Sequence, residues 1–448
     1  MRTRIFLSLL AFALCLPLGA QSFQESLFLN NYRLGYRYNP ALQADGDFIS
    51  IGEFSLYSAN NVGASAFLYP RGNELVTGLH PSVSTYDFIS SLKDLNQKQS
   101  HVNYSLFAYG FRTKNAFHTV EISARGMYGA AVPKEFFRFL KQGGEEVYSF
   151  AGTRLQGQLY AELAYGYSRK IGDKLSFGVR PKLLLGLYAA DYKFTRFNIH
   201  MTGEGYQMNI ETALDLTNRS GKMETSEEGY LQLLKWQAKD KWRLPSGVGL
   251  ALDLGLLWEP VDGLALSLSL TDLGGLFWHY GNAGTSKGDA NITLVNDLNY
   301  EDINFKGLVE QVKILGEKLL QPISLKPADR RFVWKSIPFQ ANAAIRYKMP
   351  FYRPLSLGFT GNYSAFEGLP YAEGRFALGV NPLSWLDITG SAGYGTYGAV
   401  WGAAIQVRVL RFRLHAAYQD GFGGTIPYKS TPLKANGRTI VIGLTYDI

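Results

Sequence analysis

The sequence predicts an all-β chain: a transmembrane antiparallel β-barrel of about 14 strands with an N-terminal plug-like segment and long extracellular loops. Three observations carry this reading. An export signal opens the chain, apolar residues alternate with a period of two along most of the remainder, and tight turns take turns with long connections.

The signal is MRTRIFLSLLAFALCLPLGA, residues 1–20. Arg2 and Arg4 precede an apolar run, and Leu18-Gly19-Ala20 forms a cleavage site before Gln21. Cys15 is the one cysteine of the chain, and Leu14 before it is too bulky for usual lipoprotein processing. The mature chain therefore offers neither disulfide nor thiol chemistry. No later stretch reaches the roughly 18 apolar residues that a spanning helix needs. Mean hydropathy is −0.08, with 48 Gly, 28 Tyr and 28 Phe, which suits a barrel whose lipid-facing residues alternate with polar ones. Net charge is +8, but the basic residues are scattered without runs, so no nucleic-acid partner is expected.

The stretch at 247–274 organises the chain. Val248, Leu250, Leu252, Leu254, Leu256 and Trp258 share one parity; Gly247, Gly249, Ala251, Asp253 and Gly255 share the other. After the turn at 259–263, Leu264, Leu266, Leu268 and Leu270 repeat the pattern against Ala265, Ser267, Ser269 and Thr271. Successive strand side chains point to opposite faces, so this is a hairpin with one leucine face and one small, polar face. Lipid outside and a crowded lumen inside explain both faces.

The same rule continues on both sides. Segments 118–127, 155–169 and 175–188 alternate, and Pro181 in the last of them predicts a bulge or kink. Segments 339–347, 355–363, 371–380, 385–394, 399–409, 411–420 and 439–448 follow. With the segment left at 101–112 between the connections 70–100 and 113–116, counting 48–57 and 62–69 gives fifteen candidates. Both termini should be periplasmic, which requires an even number, so one of those two is not a full barrel strand. Reading back from Ile448, every second connection is a tight turn, and the long ones (421–438, 274–338, 189–246, 132–154 and 70–100) fall on the other side. That is the asymmetry of short periplasmic turns and long external loops. Residues 21–47 have no clean period and read as a leader tucked into the barrel, leaving 48–448 for the barrel. Helical spacing marks Leu308 to Leu320, Pro133 to Gln142, and the stripe Tyr86, Ile89, Leu92 and Leu95, as caps on the mouth or as walls of an outer pocket.

Asn39-Pro40-Ala41, ALDLGLLWEP at 251–260, LALSLSLTDLGGLFW at 264–278 and the glycine-rich final third together resemble an uncharacterised Bacteroidota family of outer-membrane barrels, a domain-of-unknown-function group. That group is distantly similar to FadL-type fatty-acid channels and to PorV-type barrels of type IX secretion. The resemblance implies a fourteen-strand barrel with an N-terminal segment in the bore, and it transfers no activity to named residues.

The inward parity gathers charges of both signs: Glu121, Arg125, Glu162, Arg180, Lys182, Asp253, Glu373, Arg375, Arg408, Arg411 and Arg413. They either line a solute path or fill the lumen with ion pairs, since buried charges need partners. The bulky Tyr160 and Tyr188 are assigned to the same face. The six histidines show no metal-ligand spacing, no cofactor motif is present, and no serine–histidine pattern suggests an enzyme. Three roles follow: a FadL-like channel for a hydrophobic or amphipathic solute, a non-transporting anchor or partner for envelope or type IX secretion components, and, last, a membrane-embedded hydrolase. Outer-membrane lipids are the partner common to all three.

Overall fold

The structure, a computed structural model, describes residues 24–448 except 73, 144–146, 203–204, 218–220, 228, 230, 239–244, 281, 293–324, 329–330, 366–369, 423–424, 427–430 and 433–435. The signal at 1–20 and the helical stripe from Leu308 to Leu320 lie outside the described residues.

Alternating sequence becomes alternating exposure. On one hairpin strand Leu250 is 67% exposed while its neighbour Ala251 is 6% exposed, and Asp253 is fully buried. Fourteen strands of this kind form the ring. They are β1 (Phe48–Asn60), β2 (Leu95–Arg112), β3 (Ala116–Pro133), β4 (Arg154–Ile171), β5 (Leu175–Thr202), β6 (Gly247–Trp258) and β7 (Leu264–Tyr280). Then come β8 (Phe339–Lys348), β9 (Leu355–Ala365), β10 (Tyr371–Leu383), β11 (Leu386–Gly395), β12 (Gly398–Val409), β13 (Phe412–Gly421) and β14 (Asn436–Asp447). Each pairs antiparallel with the next, and β14 returns to pair with β1, from Asp447 opposite Phe48 to Asn436 opposite Asn60. Closure leaves the ring without an edge, as lipid demands.

The fifteenth candidate, 62–69, is the one outside the ring. It forms a 3-10 turn at Ala64–Ala66 and the first strand of a small hairpin, Leu68–Arg71 with Glu74–Thr77. On the long-loop side the strands overshoot the segments read from alternation. β5 runs on to Thr202, where it pairs with an added strand Gly205–Thr217, which in turn pairs with Asn282–Ile292. Two short helices cap this end, α1 (Thr85–Ser91) and α2 (Lys134–Gln142). α2 starts where Pro133 suggested. α1 keeps only part of its stripe: Leu92 caps its end, Leu95 already belongs to β2, Tyr86 points out and Phe88 points in.

Pro181 does not produce a bulge. Rungs are missing opposite Tyr165 and Gly166, because proline has no N–H to give, but the β4–β5 register is the same on both sides. The bulge lies at Leu187, between the pairs Leu159–Tyr188 and Tyr160–Gly186. The extra residue flips the alternation beyond it, so Tyr188 faces outward, 42% exposed, and Ala189 faces in.

Candidate functional site

The leader runs inside the ring. Two 3-10 turns, Gln24–Leu27 and Gly35–Arg37, give it shape, and its polar groups reach strands on every side. Gln24 bonds Glu373 of β10 and accepts from Thr360 of β9 at 2.7 Å. Glu25 takes Ser391 of β11 at 2.5 Å and Gln419 of β13. Arg33 donates to Asp447 of β14 at 2.8 Å, and Tyr36 to Glu121 of β3 at 2.8 Å. Only a segment near the axis could touch so many separate strands.

Asn39-Pro40-Ala41 fastens the leader to the organising hairpin. The Asn39 amide donates to the Leu256 carbonyl at 2.9 Å and to Ser267 at 2.7 Å, while its side-chain oxygen accepts from the Ala41 N–H at 2.8 Å. The wall makes room with glycine: a Cβ on Gly255 would strike Asn39, and one on Gly178 would strike the Pro40 carbonyl. Inward glycines thus mark where the leader presses closest.

Beside the leader, the predicted charges condense into one network. Arg180 reaches Glu121 at 2.9 Å, Asp253 at 3.0 Å and Glu162 at 3.3 Å. Lys182 sits 2.7 Å from Asp253 and 2.6 Å from Asp272. Arg125 grips Asp272 with two nitrogens at 2.6 and 2.9 Å and meets Glu162 at 2.9 Å. Arg37 of the leader joins through Glu121 and Glu53, and His415 Nε2 lies 2.7 Å from Glu53. Glu373 and Arg375 form a second group with Glu25, 2.9 Å apart from each other. Arg413 joins a third, donating to Asp447 at 2.9 Å. Arg408 is half-exposed at the rim, 3.9 Å from Asp447. Arg411 is the exception to the inward assignment: it is exposed in the two-residue turn between Val409 and Phe412, because β13 starts one residue later than its pattern suggests. Among the described residues no group of carboxylates, histidines or cysteines could hold a metal ion.

Above the charges the inner surface turns apolar. On β5, Arg180 and Lys182 give way to Leu184 and Ala189; on β3, Arg125 gives way to Met127; on β7, Asp272 gives way to Leu276 and Trp278. These residues pack with Tyr160, Ala251 and Ile337 as one layer. Higher still on β5, Tyr192, Phe194, Phe197 and Ile199 enter a larger apolar cap with Phe88, Phe139 and Phe150. The layer abuts a gap in the wall. β7 pairs with β8 up to Thr271–Gln340 and resumes at Gly275–Ser336 with a short strand, Arg331–Ser336. Opposite Asp272 to Gly274 the rungs are missing except for Ile337 N–H to Gly274 at 3.2 Å, since Pro338 cannot donate. A cavity of about 140 Å³ lies between leader and network and reaches this gap through Thr271, Asp272, Pro338 and Gln340.

A model of a protein family of unknown function, DUF5723, matches residues 40–418. The chain belongs to this family. No curated protein matches it in sequence. Among solved structures, the DUF5723 barrel is similar to a Pseudomonas aeruginosa FadL homologue, at 11% identity and TM-score 0.50 over 97% of this chain and 99% of that one. It is likewise similar to a deltaS2 mutant of the TodX monoaromatic hydrocarbon channel, at 10% identity and TM-score 0.51, with coverages of 94% and 95%. The Ralstonia pickettii toluene transporter TbuX follows at 10% identity and TM-score 0.48, covering 98% and 100%. At these identities the likeness is one of fold. The first two, at TM-scores of 0.50 and 0.51, support the barrel fold, and chemistry is left to the residues.

Two acids of this DUF5723 site escaped the sequence reading for one reason. Strict alternation puts Glu53 and Asp272 on the lipid face. A bulge at Gly52 (φ 85°) swings Glu53 inward, and one at Thr271–Asp272, with Asp272 itself at φ 63°, does the same for Asp272. A carboxylate on the apolar parity of a barrel strand was the available signal, because lipid cannot solvate it.

Proposed function

We propose that the protein is an outer-membrane channel of the FadL type, exported by the signal at 1–20, that passes a hydrophobic or amphipathic solute from the long-loop side into the wall. The observation that carries this is the vertical order of the interior. Apolar residues lead from the cap (Phe194, Phe150) through the layer (Leu276, Trp278) to the gap beside Ile337 and Pro338. Directly below, charges and the leader (residues 21–47, acting as a plug) close the bore.

An apolar guest gains about 25 cal/mol for each Å² it buries, and would lose that gain on entering the charged layer. The exit is therefore placed at the upper part of the gap, where the apolar layer meets Ile337, above Asp272 and its partners Arg125 and Lys182 at the lower edge. At Pro181 the register is unbroken and no apolar layer adjoins. In this reading Glu121, Arg125, Glu162, Arg180, Lys182 and Asp253 seal the bore rather than conduct. TodX is named as a channel for monoaromatic hydrocarbons; solutes of that apolar class are the first to try.

The test is a reversible staple. The mature chain has no cysteine, so Thr271→Cys with Gln340→Cys, at directly paired positions, places a single disulfide at the lower edge of the gap. Uptake of a radiolabelled monoaromatic hydrocarbon by cells should fall to the level of cells without the protein when the pair is oxidised, and recover with reductant. Uptake by the unstapled protein no greater than without it would refute the channel. Uptake unaffected by the staple would move the exit elsewhere.

A further inference from the structure

The outer surface carries a second feature, remote from the bore. On β2 to β5, near the short turns, outward aromatic side chains form one row across four strands. Tyr109 stacks on Phe111 (centroids 5.2 Å apart), and Phe111 stacks on His118 at 5.0 Å with planes 11° apart. His118 meets Tyr167 at 5.5 Å, and Tyr167 meets Phe177 at 6.1 Å. The imidazole is held at both nitrogens, 2.7 Å from the Tyr165 hydroxyl and 3.2 Å from Thr113. Such a row marks the depth where the acyl region ends and headgroups begin.

Immediately beyond it, the turns at 113–115 and 172–174 stand side by side, because β3 pairs with β4 and β4 with β5. They and the end of β4 bring together Lys114, Arg169, Lys170 and Lys174, all exposed. Arg169 lies on the same outward parity as Tyr165 and Tyr167, one step nearer the headgroups. Among the described residues none of the four makes an ion pair. Three acids are close: Asp173 within its turn, Asp47, whose carboxylate accepts from the Arg112 N–H at 2.8 Å beside the turn at 113–115, and Glu259, whose N–H donates to the Lys174 carbonyl at 2.7 Å. With the exposed Arg112 beside them, the four cations outnumber these three carboxylates and leave a positive excess. The turn at 259–263 differs: there Asp262 is matched by Arg353 at 2.6 Å.

We propose that this rim binds the headgroup of an anionic phospholipid from the leaflet on the short-turn side. Arg169 takes the phosphate, Lys114, Lys170 and Lys174 surround it, and the aromatic row carries the glycerol and upper acyl region. A phosphate at that plane meets a guanidinium suited to two-point contact, and strand geometry keeps the guanidinium at headgroup depth. Nearby lysines add attraction that falls off within a Debye length.

The test is native mass spectrometry of the full chain, released from detergent doped with equal phosphatidylglycerol and phosphatidylcholine. The protein should retain phosphatidylglycerol at least tenfold over phosphatidylcholine. The variant K114Q/R169Q/K170Q/K174Q should lose that preference while keeping its heat-modifiable gel shift. Equal retention of the two lipids by the unaltered protein, or an undiminished preference in the variant, would overturn the site. If the fourfold variant fails to fold, R169Q and K174Q alone should each lower the preference about threefold, and no change in both would overturn it equally.

Discussion

The interior of this barrel is two materials stacked on the same strands. In the lower bore, Arg180, Lys182, Arg125 and their carboxylates are held by distances of 2.6 to 3.3 Å, and the leader threads among them. In the cap, Phe150 packs edge-on against Phe139 and Phe197 at 5.6 and 5.2 Å. The difference separates a rigid floor from an adaptable ceiling. Ion pairs out of water tolerate one geometry, because each unpaired charge is costly; apolar packing accepts any guest of fitting shape. A closed floor and an adaptable ceiling are what a solute entering from above and leaving sideways requires.

The most disruptive way to break the comparison is Arg180→Met. It leaves Glu121, Glu162 and Asp253 short of a cation, and removal of one buried partner costs about 3–5 kcal/mol. The barrel's heat-modifiable band should convert at a markedly lower temperature; conversion at the original temperature would show the network to be dispensable. Next comes Phe150→Ala in the cap, worth about 3 kcal/mol by the large-to-small rule. That loss should be local: faster proteolysis of the long loops, with the barrel's conversion temperature preserved. Gly255→Val sharpens the seam between leader and wall, since its branched side chain collides with Asn39. Amide exchange at Asn39, Ala41 and Leu42 should accelerate about tenfold, equivalent to ~1.4 kcal/mol of lost protection. The smallest effect belongs to Asp262→Asn. Arg353 donates two hydrogen bonds and holds the Asp262 carboxyl below its usual range, yet both groups stand in solvent. Screening makes such a pair worth little, so the conversion temperature should not move.

The ring was legible because lipid imposes one rule on every strand: Leu250, Leu254 and Leu256 must point out, so their neighbours point in. The rule lapses outside the membrane. On β5 Tyr192 and Phe194 are buried with Lys193 between them, and Phe197 and Ile199 with Asn198 between them. An extra residue at Thr195 separates the two runs, so the strand's continuation to Thr202 did not read as one period. It lapses also at bulges, which hid Glu53 and Asp272 and misplaced Tyr188. Arg411 was misassigned because one residue of turn is invisible to a period of two. For the leader, the sequence showed its polarity but not its partners; Asn39 finds Ser267 across more than two hundred residues, a pairing that only the closed ring creates.

The central claim is that the lower bore is shut by the network and leader together, and conductance measures that directly. Purified protein in planar bilayers should show little steady current, and removal of residues 21–42 should raise it to discrete, stable openings. A large stable conductance in the intact protein, or none after the leader is removed, would contradict it.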